Sequence, residues 1–339
     1  MFDVTNWAYA DGPPQSTAVI KSRPEDFQVN EKLGFELSGE GEHLYLYIEK
    51  RGLNTEELVK ALAACLNKPV KAFSYAGLKD KLAVTRQWIC VHSLHDDVSN
   101  PDSLAGEGWQ VLASKRHLKK LKTGVLAANG FKLMLREIAN PQDVETRLSR
   151  VQQQGVPNYF GDQRFGSQNL EKAWRLLTTD YRVKNPFLRG MYYSAARSFL
   201  FNQILSARVS QKTWNRALAG DVMQLSGTHS IFSLDEVEDG IQQRINEFDI
   251  SPAAPLWGEG NEKASLAALE TQQQALEPYT DWCKGLIAHD LKRAYRPLVL
   301  AVNQFSWVWQ DEHTVELQFE LPPGSYATSV VRELVKSPV

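Results

Sequence analysis

The sequence predicts an α+β protein, and two observations carry that prediction. Helical and strand-like segments mix along the 339 residues without a regular βα alternation. Period-2 segments gather near the two ends of the chain, with helical patterns between them, so the late strands can belong to the early sheet. The expected core is a mixed, largely antiparallel sheet with helices.

Residues 27–31 and 43–49 have strand character, the second alternating through Leu44, Leu46 and Ile48. A helix follows, with Asn54 as its cap and Glu57 at the third position. Leu58, Leu62, Cys65 and Leu66 form its apolar stripe, and Pro69 stops it. Residues 88–92 make a short apolar strand. Phe131, Leu133 and Leu135 alternate with Lys132, Met134 and Arg136, giving a strand that starts directly after an Asn129-Gly130 turn.

The texture changes past about residue 154. GVPNYFGDQRFG at 155–166 is a loop rich in glycine and aromatic residues. Helical patterns occupy 170–177, 197–209 and 262–276, with an acidic stretch at 235–238. Strand character returns at 297–302 and 305–309. Val315, Leu317, Phe319 and Leu321 then alternate with Glu316, Gln318 and Glu320, and a short helix follows Pro322-Pro323-Gly324.

Composition narrows the function classes. Apolar residues make up 43% and charged residues 23%, as in a soluble globular protein with room for about two domains. No basic-then-apolar leader opens the chain, and no apolar window approaches membrane length. Cys65, Cys90 and Cys283 lie too far apart for a disulfide framework or a short zinc motif, so a reducing cytoplasm and no metal are expected. Motifs for nucleotide binding, zinc hydrolysis and serine hydrolysis are absent, and no second carboxylate sits close enough to suggest paired acid–base hydrolysis.

Net charge is −2, yet its distribution is uneven. No acidic residue occurs between Glu107 and Glu137, whereas Lys115, Arg116, Lys119, Lys120, Lys122, Lys132 and Arg136 all do. That window is either a solvated helix face or a ridge that contacts nucleic-acid phosphates. The most unusual segment is FSYAGLKDK at 73–81, where Asp80 stands between two lysines in a glycine-containing loop. Flanking cations hold a carboxylate ionised, which suits a nucleophile, although a plain turn aspartate has the same residue types.

The segment from Ala76 to Gln87 (AGLKDKLAVTRQ) resembles the signature of the TruD family of tRNA pseudouridine synthases. The likeness extends through RPEDF with Val29 and Glu31, GEGEH at 39–43, and KKLKTG at 119–124 with Asn129 and Phe131. It continues through the 155–166 loop, SAARSFLFN at 194–202, and LPPGSYATSVVREL at 321–334. These matches are colinear and span nearly the whole chain.

The resemblance implies a sheet of pseudouridine-synthase type with an inserted α/β domain, the two flanking a cleft. The catalytic domain would be discontinuous, residues 1–154 and 304–339, around an inserted domain at 155–303. Asp80 would be the nucleophile, with Lys21 paired to it. Phe27, Asn129, Phe131 and Tyr326 would contact the target nucleotide, Tyr326 standing where the family is expected to have phenylalanine. Lys115, Arg116, Lys119, Lys120 and Lys122 would hold RNA backbone, helped by Lys292, Arg293 and Arg296 of the inserted domain. The expected reaction isomerises a uridine of tRNA, at position 13, in a cofactor-free cytoplasmic monomer. The rival readings are a non-catalytic RNA-binding protein and an aspartate-dependent RNA hydrolase.

Overall fold

The computed structural model describes residues 2–94 and 98–336. Along the first part of the chain lie β1 (Val19–Ile20), β2 (Phe27–Leu33), β3 (His43–Lys50), α1 (Thr55–Cys65), β4 (Phe73–Tyr75), β5 (Val84–His92), β6 (Ala105–Gly106), β7 (Trp109–His117) and β8 (Leu126–Arg136). The middle contributes α2 (Pro141–Gln154), β9 (Val156–Pro157), α3 (Asn169–Thr178), α4 (Pro186–Ser210), β10 (Val222–Leu225), β11 (Ile231–Ser233), α5 (Ile241–Asn246), β12 (Ile250–Leu256), α6 (Leu266–Leu276), α7 (Thr280–Ala288), β13 (Ala294–Pro297) and β14 (Val299–Leu300). β15 (Asn303–Asp311), β16 (Thr314–Leu321) and α8 (Ala327–Leu334) complete it.

Two compact units result. One holds Ser16–Pro141 and Asn303–Gly324; the other holds the chain up to Gln15, Gln142–Val302 and Ser325–Lys336. The cut at 141 differs from the sequence-based one at 154 because α2 packs with the second unit, and that unit also takes the chain up to Gln15 and Ser325–Lys336, which were expected in the catalytic part. Arg147 of α2 donates to the carbonyl oxygens of Gly12, Pro13 and Glu333.

The first unit is built on a ten-stranded sheet in the order β15-β16-β8-β2-β5-β3-β7-β6, with β1 added to β8 and β4 to β5. β2 and β5 run parallel; the other pairs are antiparallel. α1 is held by the box its sequence encodes: Asn54 accepts from the Glu57 N–H while Glu57 accepts from the Asn54 N–H. Its Leu58, Val59 and Leu62 pack on Leu44, Leu46, Ile48 and Ile89 of the sheet.

Register places the remaining residues of that face. Directly opposed residues share a side of a sheet, and Lys50 opposes Thr85, Val29 opposes Phe131, Glu31 opposes Asn129, and Phe131 opposes Phe319. Lys50, Thr85, Gln87, Phe27, Val29, Glu31, Asn129, Phe131 and Phe319 therefore point to the side that α1 partly covers.

Two local expectations are corrected here. Asn129-Gly130 is no hairpin turn; both residues lie inside β8, between β2 and β16. Ladder hydrogen bonds on both edges outweigh the local turn preference of that dipeptide. The basic window is not a helix either: Lys115 and Arg116 end β7, and the lysines at 119, 120 and 122 occupy the loop to β8.

The second unit packs its helices around Trp7, Tyr159, Phe165, Leu170, Phe199, Trp282 and Leu286. It also carries a four-stranded antiparallel sheet, β11-β10-β12-β13, and the pair β14-β9. The helix expected at 197–209 starts at Pro186, where Pro sits in the first turn and Asn185 accepts from the N–H groups of Phe187 and Leu188. The helix expected from 262 begins at Leu266, and the strand expected at 297–302 is divided between β13 and β14.

Candidate active site

Asp80 lies in the loop between β4 and β5, and side chains from distant parts of the first unit hold it. Lys21 donates to its Oδ2 at 2.6 Å, and the Leu82 N–H donates to its Oδ1 at 3.0 Å. Beneath the loop, the fully buried Lys50 donates to the backbone carbonyls of Leu53 (2.6 Å) and Asp80 (2.8 Å).

The two lysines that flank Asp80 in sequence do different work. Lys79 pairs with the buried Glu31 at 2.5 Å, and Lys81 pairs with Glu57 at 3.0 Å. The expectation that flanking cations hold Asp80 ionised is thereby corrected: adjacent side chains in a loop diverge, and the paired cation comes from Lys21. The Lys79 N–H donates to Thr55 Oγ1, whose hydroxyl donates to Gln87 Oε1, while Glu31 Oε2 accepts from the Trp88 N–H. Both residues 79 and 80 are thus tied down by backbone and side chain.

Burial alone would push the Asp80 carboxyl up. The Lys21 hydrogen bond, the Leu82 N–H and the charges of Lys21 and Lys50 outweigh it and hold the group below the ordinary aspartate range. The result is a half-exposed, ionised carboxylate on an anchored loop. Lys21 itself has φ 58°, a left-handed conformation that costs a side-chain-bearing residue about 1–2 kcal/mol. Glycine would relieve that strain but would remove the ammonium.

Aromatic rings stand next to this pair. The Lys21 ammonium lies 4.3 Å from the centre of the Phe27 ring. Phe27 meets Phe131 edge-on at 6.3 Å, and Phe131 stacks on Phe319 at 5.3 Å. Asn129 is two residues from Phe131 on the same face of β8, and its side-chain oxygen is buried without a hydrogen-bond partner. The Gln87 amide nitrogen is also buried and unpartnered.

Tyr326 belongs to the second unit, where it caps α8 and meets Phe160 edge-on at 6.1 Å. The basic segment is heterogeneous. Lys115, Lys119, Lys120 and Lys122 are exposed, and the Tyr45 hydroxyl pins the loop by donating to the Lys119 carbonyl. Arg116 donates to the carbonyls of Gly41 and Ser93, Lys132 pairs with Glu316, and Arg136 pairs with Asp26. In the second unit Lys292 pairs with Glu259 and Arg293 with Glu262, and Arg296 is held by Asn158 over the Phe160 ring. Those three cations are committed to intramolecular partners. Among the described residues, no group of three or more His, Cys, Asp or Glu side chains is placed to hold a metal ion.

Lys50, and the pairing of Glu31 with Lys79, are what motif reading missed. A signal existed for Lys50: it continues the period-2 apolar face of Leu44, Leu46 and Ile48, so the strand pattern alone puts its side chain inside.

Comparison with known proteins agrees over the full chain. The family described as tRNA pseudouridine synthase D (TruD) matches residues 5–182 and 180–334. The tRNA pseudouridine synthase D of Legionella pneumophila (strain Corby) is 47% identical over 98% of both chains. That of Hydrogenovibrio crunogenus is 42% identical over 98% of this chain and 96% of its own. The fold matches the crystal structure of a Methanosarcina mazei protein assigned to tRNA pseudouridine synthase D, with TM-score 0.73 and 21% identity over 99% of this chain and 96% of that one. The chain therefore belongs to the tRNA pseudouridine synthase D (TruD) family, a family of isomerases.

Proposed function

We propose that this protein converts a uridine of tRNA, the one at position 13, to pseudouridine with Asp80 as nucleophile. The observation that carries the reading is the Lys21–Asp80 pair, an ionised and anchored carboxylate beside the Phe27 ring. In the reaction the N1–C1′ bond breaks, the uracil turns, and a C5–C1′ bond forms. The C5 proton leaves and N1 ends protonated, so the product is an isomer of the substrate. Asp80 acts by attack at C1′ or C6, or by promoting a glycal; its ionised state serves each route.

A uridine in folded RNA must leave its stack to reach a carboxylate, at a cost of a few kcal/mol. Stacking on an aromatic ring, worth about 1–3 kcal/mol per base, offsets that. Phe27, a largely buried ring, and Phe131, which it meets edge-on, are the rings assigned to this, and Phe319 stacks on Phe131. The unpartnered Asn129 oxygen is suited to accept from the uracil N3–H. Tyr326 is assigned a contact with the same nucleotide, and the exposed Lys115, Lys119, Lys120 and Lys122 contacts with RNA backbone, while Arg116, expected to join them, holds the carbonyls of Gly41 and Ser93 and supports that segment. In this reading the catalytic part of the chain is discontinuous, the enzyme acts as a cofactor-free monomer, and the tRNA substrate places its work in the cytoplasm.

The test is direct. Purified protein is incubated with unmodified tRNA transcripts and pseudouridine is mapped at single-nucleotide resolution. One new pseudouridine at position 13 is expected. A protein that binds the transcript and leaves every uridine intact would instead be the non-catalytic RNA binder.

A further inference from the structure

We infer that the start of α4 and the segment leading into it form a tRNA-docking surface on the second unit, built from Arg182, Lys184, Phe187, Arg189 and Met191. This inference rests on the tRNA-modifying reading and adds a binding surface to it.

The charge pattern is the first observation. No acidic residue occurs between Asp180 and Asp221, while Arg182, Lys184, Arg189, Arg197, Arg208, Lys212 and Arg216 do. Several of these are committed: Arg208 pairs with Asp221, and Arg197 donates to the carbonyls of Leu256 and Lys292. Arg182, Lys184 and Arg189 are exposed, and among the described residues none of them makes an ion pair. They are available to an external anion.

The second observation is apolar. Phe187 is 73% exposed, with Leu188 at 38% and Met191 at 37%. Phe187 and Met191 are four residues apart on one helix face, so they form one continuous patch. Burying a phenylalanine side chain is worth about 1.5–3 kcal/mol, and an exposed apolar patch rimmed by charge marks an interaction surface.

The third is Gly190. It lies in the helix between these residues, and a Cβ added there would meet nothing within 4 Å. An exposed helical glycine costs about 1 kcal/mol against alanine. No internal packing requires it, and it leaves the helix surface flat beside the Phe187 ring.

Unpaired cations in the segment that leads into an exposed ring suit a polyanion that offers flat apolar faces, which is RNA with accessible bases. A base would stack on Phe187 and phosphates would sit on Arg182 and Lys184 ahead of the helix, while Arg189, two residues from Phe187 and therefore on another face of α4, would reach a separate phosphate. A neighbouring pair shows how an arginine and a ring already combine here: the Arg175 guanidinium lies 4.8 Å from the Tyr181 ring centre.

The experiment uses the full chain and an unmodified tRNA transcript. Phe187→Ala should weaken the tRNA Kd about fivefold or more. The triple variant R182E/K184E/R189E should flatten the plot of log Kd against log salt by about 0.7 for each phosphate no longer held. In both variants turnover at saturating tRNA and the circular dichroism spectrum should match the wild type. Unchanged affinity and salt slope in both overturns the inference. So does a patch that serves a second copy of this chain, seen as self-association abolished by Phe187→Ala with tRNA affinity intact. Wild-type protein that binds tRNA without forming pseudouridine refutes the proposed activity alone, because the binding arm can still be read.

Discussion

The buried Lys50 ammonium donates to the backbone carbonyl of Asp80 at 2.8 Å, so a charge enclosed by protein fixes the main chain of the candidate nucleophile. Burial pulls the Lys50 amine down to about 8, against the favourable charge of Asp80 and with a further push from Lys79. A cation kept inside against this penalty points to a positioning role. Lys50→Met should lower kcat about 10- to 100-fold, because small displacements of a reacting group are costly, while the tRNA KM changes less than about threefold. Steady-state pseudouridine formation checks this; an equal change in both constants would show a binding role instead.

The same residue gives a pH signature in stability. Its folded value of about 8 lies below the ordinary 10.5, so between those limits the unfolded chain binds more protons. Unfolding free energy from this group therefore rises with pH across that window, by roughly 3 kcal/mol in total. Urea melts of the wild type at pH 8 and pH 10 should show that rise, and Lys50→Met should lack it.

Asp80→Asn preserves size and removes charge, so turnover should vanish while tRNA affinity stays within a few fold. Lys21→Met should leave some activity and move its pH dependence. In the wild type the carboxyl is held below its usual range, so the acidic fall-off of kcat lies low. Without the Lys21 hydrogen bond and charge, burial dominates and the fall-off shifts to higher pH. A pH–rate profile identical to the wild type's would remove Lys21 from the role assigned to it.

Glu31 and Lys79 should respond unequally to substitution. Glu31 is almost fully buried, with its Oε2 on the Trp88 N–H and its partner oxygen facing Lys79. Lys79→Met leaves a buried anion without its cation, a change that typically costs about 3–5 kcal/mol. Glu31→Gln keeps the Trp88 hydrogen bond, and the Lys79 side chain, one-tenth exposed, is long and flexible enough to swing its ammonium toward the surface, so it should cost less. Chemical denaturation of the two variants orders them.

How much of this was legible in the sequence depends on the range of the interaction. The α1 cap was readable because Asn54 and Glu57 are three residues apart and satisfy each other locally. The alternation at 315–321 was readable for the same reason, and it pairs with 129–135 in the large sheet. Local signals misled where the partner was remote. Asn129-Gly130 has the residue types of a turn, yet two flanking strands decide its conformation. The lysines beside Asp80 looked like its counterions, yet Glu31 and Glu57 claim them. Lys292, Arg293 and Arg296 looked available until their partners were placed. Charge in a sequence says where cations are, and only the fold says which are already paired.

That distinction sets the last prediction, on the loop between β7 and β8. Lys119, Lys120 and Lys122 are exposed there and, among the described residues, make no ion pair. Arg116, Lys132 and Arg136 of the same basic window are engaged with carbonyls or carboxylates. If the window binds RNA phosphates, the work should fall on the first group. Reversing Lys119 and Lys122 to glutamate should weaken tRNA binding and flatten its salt dependence by about 0.7 log units per phosphate released, with turnover at saturating tRNA nearly unchanged. Lys132→Gln should barely alter the slope, because Lys132 already faces Glu316. Equal salt slopes for all these variants and the wild type would return the whole loop to a solvated surface. Arg116→Gln should behave differently again: its guanidinium ties the end of β7 to Gly41 and Ser93, so melting temperature should fall before RNA affinity does.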